Sequence, residues 1–190
     1  MKNPSGWMLA AGLLGAVITG PAQSQSITIV SRSSQPRLLI RQMTDAEFVP
    51  LMIKHHEDGI AMAKILKERG SSDSVKALAA RIREIQEQEV EQLKLLAEQV
   101  GEPKDRAGLA EYAQTMTEQG QSMIRRLEEA PEGEAVAQAF LEELARHHQM
   151  GIELIAGTRF RNGALRTLAR QMEKEQKTEI RELKKLKKNR

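Results

Sequence analysis

The sequence predicts an all-α protein: an antiparallel four-helix bundle made of two repeated helical hairpins, with one extra helix between them. Three observations predict it. Aromatic residues make up only 3% of the chain and charged residues 29%, and the rest is rich in Ala, Leu, Gln and other helix formers. A long segment recurs within the chain at a nearly constant offset. Apolar residues fall at helical spacing in each copy and are separated by short Gly/Ser/Asp stretches.

The elements follow in chain order. Residues 1–24 read as a secretory signal peptide. Lys2 supplies the positive start, Trp7 to Ile18 form a short apolar stretch, Gly20-Pro21 end it, and Ala22-Gln23-Ser24 has the form of a cleavage site. The stretch is short and glycine-broken for a membrane span, although an uncleaved N-terminal anchor is the alternative. The chain has no cysteine, which excludes a lipid anchor, a disulfide framework and a thiolate metal site. A secreted or periplasmic protein is expected, without stable membrane insertion after cleavage. Residues 25–42 carry serines and a proline with no helical period, and read as a flexible leader. The helical bundle is expected over 43–190.

Within it, FVPLMIKHHEDGI at 48–60 aligns with FLEELARHHQMGI at 140–152 at an offset of 92. Further on, Leu78-Ala79, Gln86, Glu89 and Leu93 align with Leu168-Ala169, Gln176, Glu179 and Leu183 at an offset of 90. The change of offset places a loop inside each unit, at Gly70-Ser71-Ser72-Asp73 and near Arg161-Asn162-Gly163. Each unit is therefore a helix–loop–helix hairpin, over about 44–100 and 136–187. A glycine ends the first helix of a unit, and Ser or Asp can cap the second. Between the units, Leu109, Tyr112, Met116, Met123 and Leu127 form an apolar stripe on a connecting helix over about 105–130. The basic tail Lys184 to Arg190 suits the negative end of a helix dipole. With a net charge of +3 and almost no aromatic residues, the chain lacks the basic face that nucleic-acid binding needs.

Helical phase locates the polar residues. With about 100° per residue, Phe48, Met52, Gly59, Ala63 and Leu66 share a face, and His55 and His56 flank its centre line. His147 and His148 repeat this beside Phe140, Leu144, Gly151 and Ile155. On the second helix of each unit, Gln86 and Glu89, then Gln176 and Glu179, fall within the apolar stripe. A carboxylate there costs several kcal/mol unless it is paired, hydrogen-bonded or bound to a cation. Counting back from each loop puts His55 level with Gln86 and Glu89, and His147 level with Gln176 and Glu179. Two His/Glu/Gln layers at mid-helix are thus expected, brought together by the symmetry of the bundle.

Imidazole and carboxylate ligate copper, zinc, nickel and iron. All four histidines of the chain fall in these layers. Met52 and Met62 lie one turn before and two turns after the first pair, and Met150 lies one turn after His147. Thioethers tilt the choice towards copper, with zinc second. The expected metal ligands are His55, His56, Glu89, His147, His148, Glu179, Met52 and Met62. The alternative is a metal-free structural or interaction module of the cell envelope, in which the same groups form a buried hydrogen-bond network. Carboxylates are too few for a bridged di-iron centre. Neither a nucleophile–base pair nor a Gly-rich phosphate loop is evident, so no enzymatic activity is expected.

The pattern Phe48-x-x-x-Met52-Ile53-x-His55-His56-x-x-Gly59-Ile60-Ala61-Met62-Ala63, followed by Leu78-Ala79-x-x-Ile82-x-x-x-Gln86-x-x-Glu89, resembles the domain of unknown function 305 family. The resemblance covers about residues 44–187. It implies a ferritin-like fold, export and, from some members, copper binding at His55, His56, His147, His148, Met52 and Met62. The second unit departs from the pattern, with Leu144 where Met is usual and Leu154-Ile155 in place of Met62-Ala63.

Overall fold

The computed structural model describes residues 43–189. The signal-peptide and leader expectations, residues 1–24 and 25–42, lie outside the described residues. The described chain forms five helices and no strand: α1 (Asp45–Arg69), α2 (Asp73–Val100), α3 (Leu109–Glu129), α4 (Glu134–Gly157) and α5 (Gly163–Lys188). Among the described residues, no helix is long and apolar enough to cross a membrane.

α1 starts with a capping box. The Thr44 hydroxyl accepts from the Glu47 amide, and the Glu47 carboxylate accepts from the Thr44 amide. The first loop is shorter than expected, because Asp73 already belongs to α2, and Ser72 at the cap position makes no side-chain cap bond. Gly70 caps α1 in an extended conformation rather than a left-handed one, because it lies in an isolated bridge with Gly133. Pro103 disfavours helix for the residue before it. Gly108 then takes a left-handed φ of 84°, so α3 begins a few residues later than expected. Asn162 caps α5, its side chain accepting from the Leu165 amide at 3.0 Å.

α1 packs along α2, and α4 along α5. α1 also packs on α4, while α3 covers α1 and α4, and α2 meets α5 on the other side. Two sets of ties fix the ends. The Asp45 carboxylate accepts from the Arg161 and Asn162 amides, at 3.0 and 2.8 Å, joining the start of α1 to the α4–α5 turn. At the opposite end of α1, the Arg69 guanidinium donates to the Leu127, Glu128 and Ala130 carbonyls, capping α3.

The interior is divided into two apolar clusters. One holds Met62, Leu66, Ile82, Phe140, Leu144 and Leu183; the other holds Phe48, Met52, Leu93, Leu154, Met172 and their neighbours. On each of the four helices α1, α2, α4 and α5 the change from one cluster to the other spans the polar residues: His55-His56, Gln86–Glu89, His147-His148 and Gln176–Glu179. A single polar layer therefore separates the two apolar halves.

Candidate metal centre

The layer is sealed from solvent. His56 and His148 have no exposed surface, and none of His55, His147, Gln86, Glu89, Gln176 and Glu179 exceeds 5% exposure. All eight side chains are buried, as helical phase requires.

The first histidine of each pair meets its counterpart. The rings of His55 and His147 stack with centroids 3.7 Å apart and planes 17° from parallel. His55 Nε2 lies 2.7 Å from the His147 carbonyl oxygen. That oxygen can only accept, so the proton sits on Nε2 and Nδ1 keeps its lone pair. The second histidine of each pair turns to the glutamate of its own hairpin. His56 Nε2 donates to Glu89 Oε2 at 2.8 Å. His148 Nε2 and Glu179 Oε2 also stand 2.8 Å apart, but His148 Nε2 is not aligned as a hydrogen-bond donor.

The glutamines fill space left by glycine. A Cβ on Gly59 would sit 2.4 Å from Gln86 Oε1, and one on Gly151 would sit 2.5 Å from Gln176 Oε1. The glycines thus let the amide ends lie against the helix backbone. Both amides remain without hydrogen-bond partners. Nδ1 of all four histidines, and Nε2 of His147 and His148 too, also lack hydrogen-bond partners. So many unsatisfied buried polar atoms in one place are uncommon, because each carries a cost of about 1–3 kcal/mol.

Burial keeps the stacked histidines neutral. It is the main cause that pushes His55 down from 6.5 to about 3, aided by repulsion from His56 and His148 and opposed by the bond to the His147 backbone. His147 is likewise held well below its ordinary value, first by burial and then by the three neighbouring histidines. Neutral imidazole is the form that ligates a metal.

Donor chemistry therefore suits a borderline or soft cation: four imidazoles with bare nitrogens, two of them held neutral by burial, and two glutamates. The donors are not grouped around one point. Among the described residues, no three His, Asp or Glu side chains are arranged to hold a metal ion together. The stack keeps His55 and His147 from sharing an ion, since a metal lies in the plane of its imidazole ligand and the two near-parallel rings are 3.7 Å apart. Met52 and Met62 are both fully buried, one in each apolar cluster.

Two residues near the layer escaped the sequence reading. Asp58, one turn from His55, is buried at the α1–α3 contact, where its carboxylate occupies the space of the absent side chain of Gly120 and pairs with Lys54. Its pKa is raised, chiefly by that burial. Glu175 on α5 sets its carboxyl against that of Glu89 on α2. The sequence signal for Asp58 was its place one turn on from His55. For Glu175 it was a break in the repeat, which has Ile85 at the matching position.

The family described as Domain of unknown function (DUF305) matches residues 45–187. No curated protein matches the chain. Among solved structures, a DUF305 fragment from Deinococcus radiodurans is similar, with a TM-score of 0.64 and 24% identity over 77% of this chain and 96% of that one. A DUF305 protein from Streptomyces coelicolor, described as secreted, gives a TM-score of 0.63 and 24% identity over 75% of this chain and 90% of that one. CopM in the Cu(II)-bound form gives a TM-score of 0.61 and 22% identity over 78% of this chain and 98% of that one. The match of the family over all five helices makes the conclusion plain: the chain belongs to the DUF305 family.

Proposed function

We propose that this is an exported protein that binds a transition-metal ion, copper first and zinc second, at the histidine layer of a ferritin-like bundle of two antiparallel hairpins. The observation that carries this reading is the set of unpartnered nitrogens on four buried histidines, two of them held neutral by burial. A purely structural hydrogen-bond network would use those atoms, together with the amides of Gln86 and Gln176. Here it leaves them unused.

His56 and His148 supply Nδ1; the His56 ring is backed at Nε2 by a hydrogen bond to Glu89, and Glu179 stands beside Nε2 of His148. That backing fixes the tautomer and raises ligand basicity, as for many metal-bound histidines. Glu89 Oε1, which has no partner, is a further donor. His55 and His147 join when their stack opens. Turning His147 breaks no ring hydrogen bond, because neither of its ring nitrogens makes one; turning His55 gives up its bond to the His147 carbonyl. Met52 and Met62, above and below the layer, favour copper over zinc through soft sulfur. CopM, similar in fold, has been seen in Cu(II)-bound and Ag-bound forms, and silver shares the preference for soft donors. Export rests on the reading of residues 1–24 as a signal peptide and on the Streptomyces coelicolor relative described as secreted. Binding or storage, without catalysis, is the proposed role.

The competing reading is a metal-free structural module of the cell envelope. The ring stack and the absence, among the described residues, of three converged ligands favour it. Metal analysis separates the two. The purified protein should retain copper in stoichiometric amount after passage over a weak chelator. A His55/His56/His147/His148→Asn variant that still folds should retain none. Equal retention by the two proteins would overturn the metal reading.

A further inference from the structure

The layer is closed to solvent, so a cation needs a way in. α3 covers the α1 and α4 side of the bundle. The opposite side is the seam between α2 and α5, where a groove of about 260 Å³ is lined by Arg81 and Ile85 from α2 and by Glu175, Thr178 and Glu179 from α5, among others. This groove reaches the layer, because Glu179 is the partner of His148.

The seam carries an acid that packing does not require. At the offset of 90 that relates Gln86 to Gln176 and Glu89 to Glu179, the match of Glu175 is Ile85. An apolar residue suits the seam, and Ile85 lines the same groove. Glu175 instead sets its carboxyl against the buried carboxyl of Glu89, while its Oε1 accepts from the Gln171 amide at 3.1 Å. Glu89 Oε1 and Glu175 Oε2 are buried and have no hydrogen-bond partner, and Glu89 is only 4% exposed. Two carboxyl groups in contact are stable only when they share a proton or a cation, and a cation arriving at the seam can take the place of the proton. Of the two cations that line the groove, Arg81 is engaged with Glu182, and Lys174 is exposed at its rim.

We propose that the cation reaches the histidine layer through the α2–α5 seam, and that Glu175 is the carboxylate that receives it there and passes it to Glu89. This inference rests on the metal-binding reading above. Glu175 is thus a transit ligand, which governs the rate of loading and not the final affinity.

The test compares uptake and equilibrium binding of Cu(II) in the wild-type protein, E175Q, E175I and the exposed control E91Q. Stopped-flow transfer of Cu(II) from a coloured chelator gives the rate, and dialysis against the same chelator gives affinity and stoichiometry. E175I restores the residue of the other unit, and E175Q, nearly isosteric, decides the matter if E175I fails to fold. Loss of Glu175 should slow uptake by about tenfold or more, the scale of electrostatic steering in a cleft. Affinity and stoichiometry should stay unchanged, and E91Q should load at the wild-type rate. Unchanged uptake in E175Q would overturn the proposed route. A loss of equilibrium affinity equal to the loss of rate would overturn the transit role and make Glu175 a resident ligand. Absence of histidine-dependent copper in the wild-type protein would overturn this proposal and the reading beneath it together.

Discussion

Replacing Gly151 by Ala tests the packing of the layer. The substitution favours the helix by about 1 kcal/mol at an interior position. The new Cβ would meet Gln176 Oε1 at 2.5 Å, His55 Cε1 at 2.7 Å and His55 Nε2 at 3.0 Å. Carbon atoms prefer separations of about 3.5–4.0 Å, so the His55 ring must retreat by nearly 1 Å. The ring is buried, stacked on His147 and bonded to the His147 carbonyl. Overpacking of this kind costs about 1–3 kcal/mol, and a lost buried hydrogen bond costs about 1–3 kcal/mol more. Net destabilisation of about 1–5 kcal/mol is expected once the helix gain is subtracted. Gly59→Ala is the internal control, because its three nearest contacts all come from the unpartnered amide end of Gln86, which can swing aside. It should change stability by less than about 1 kcal/mol. Urea denaturation followed by helical circular dichroism, in chelator at pH 7, measures both. Adding His55→Ala should relieve much of the Gly151→Ala penalty, a non-additivity of about 1 kcal/mol or more. A Gly151→Ala protein as stable as wild type, or less perturbed than Gly59→Ala, would refute the placement of His55.

Acid should destabilise the metal-free protein before its carboxylates titrate. His55 is held near 3 in the fold against 6.5 in the unfolded chain, so its contribution is complete above pH 6.5 and is lost as pH falls towards 3. From pH 7 to pH 5 that loss is about 2 kcal/mol from His55 alone, with His147 adding in the same direction; urea melts showing equal or greater stability at pH 5 would contradict it. Glu89→Ala strands the buried Nε2–H of His56 and should cost about 1–3 kcal/mol, whereas Glu89→Gln keeps an acceptor and should cost less. The same denaturation assay decides this, and equal costs would show that the His56–Glu89 contact contributes nothing.

Much of this layer was legible in the sequence. A carboxylate in an apolar stripe has to be buried once the helix packs, and loop position fixes which residues share a height. Glu89 and Glu179 therefore lie beside the histidines, as helical phase requires. Phase does not give rotamers. Nothing in the spacing tells that His56 takes the glutamate while His55 turns to a backbone carbonyl, or that the Gln86 amide lies on Gly59. The burial of Asp58 depends on α3, whose docking position is a tertiary fact. The slot left by Gly120 is visible only when the two helices meet. Glu175 breaks the repeat, with Ile85 at the matching position, so the match between the two units does not point to it.

The central claim is that bare ring nitrogens in this layer receive a metal ion. Long-range ¹H–¹⁵N spectra of the imidazoles, recorded while Cu(I) is added to one equivalent, test it most directly. Nδ1 of His56 and His148 should move from the free-nitrogen to the metal-bound range, while the Nε2 proton of His56 stays in place beside Glu89. Saturable binding with all four histidine Nδ1 signals unmoved would contradict the account and leave the layer a structural one.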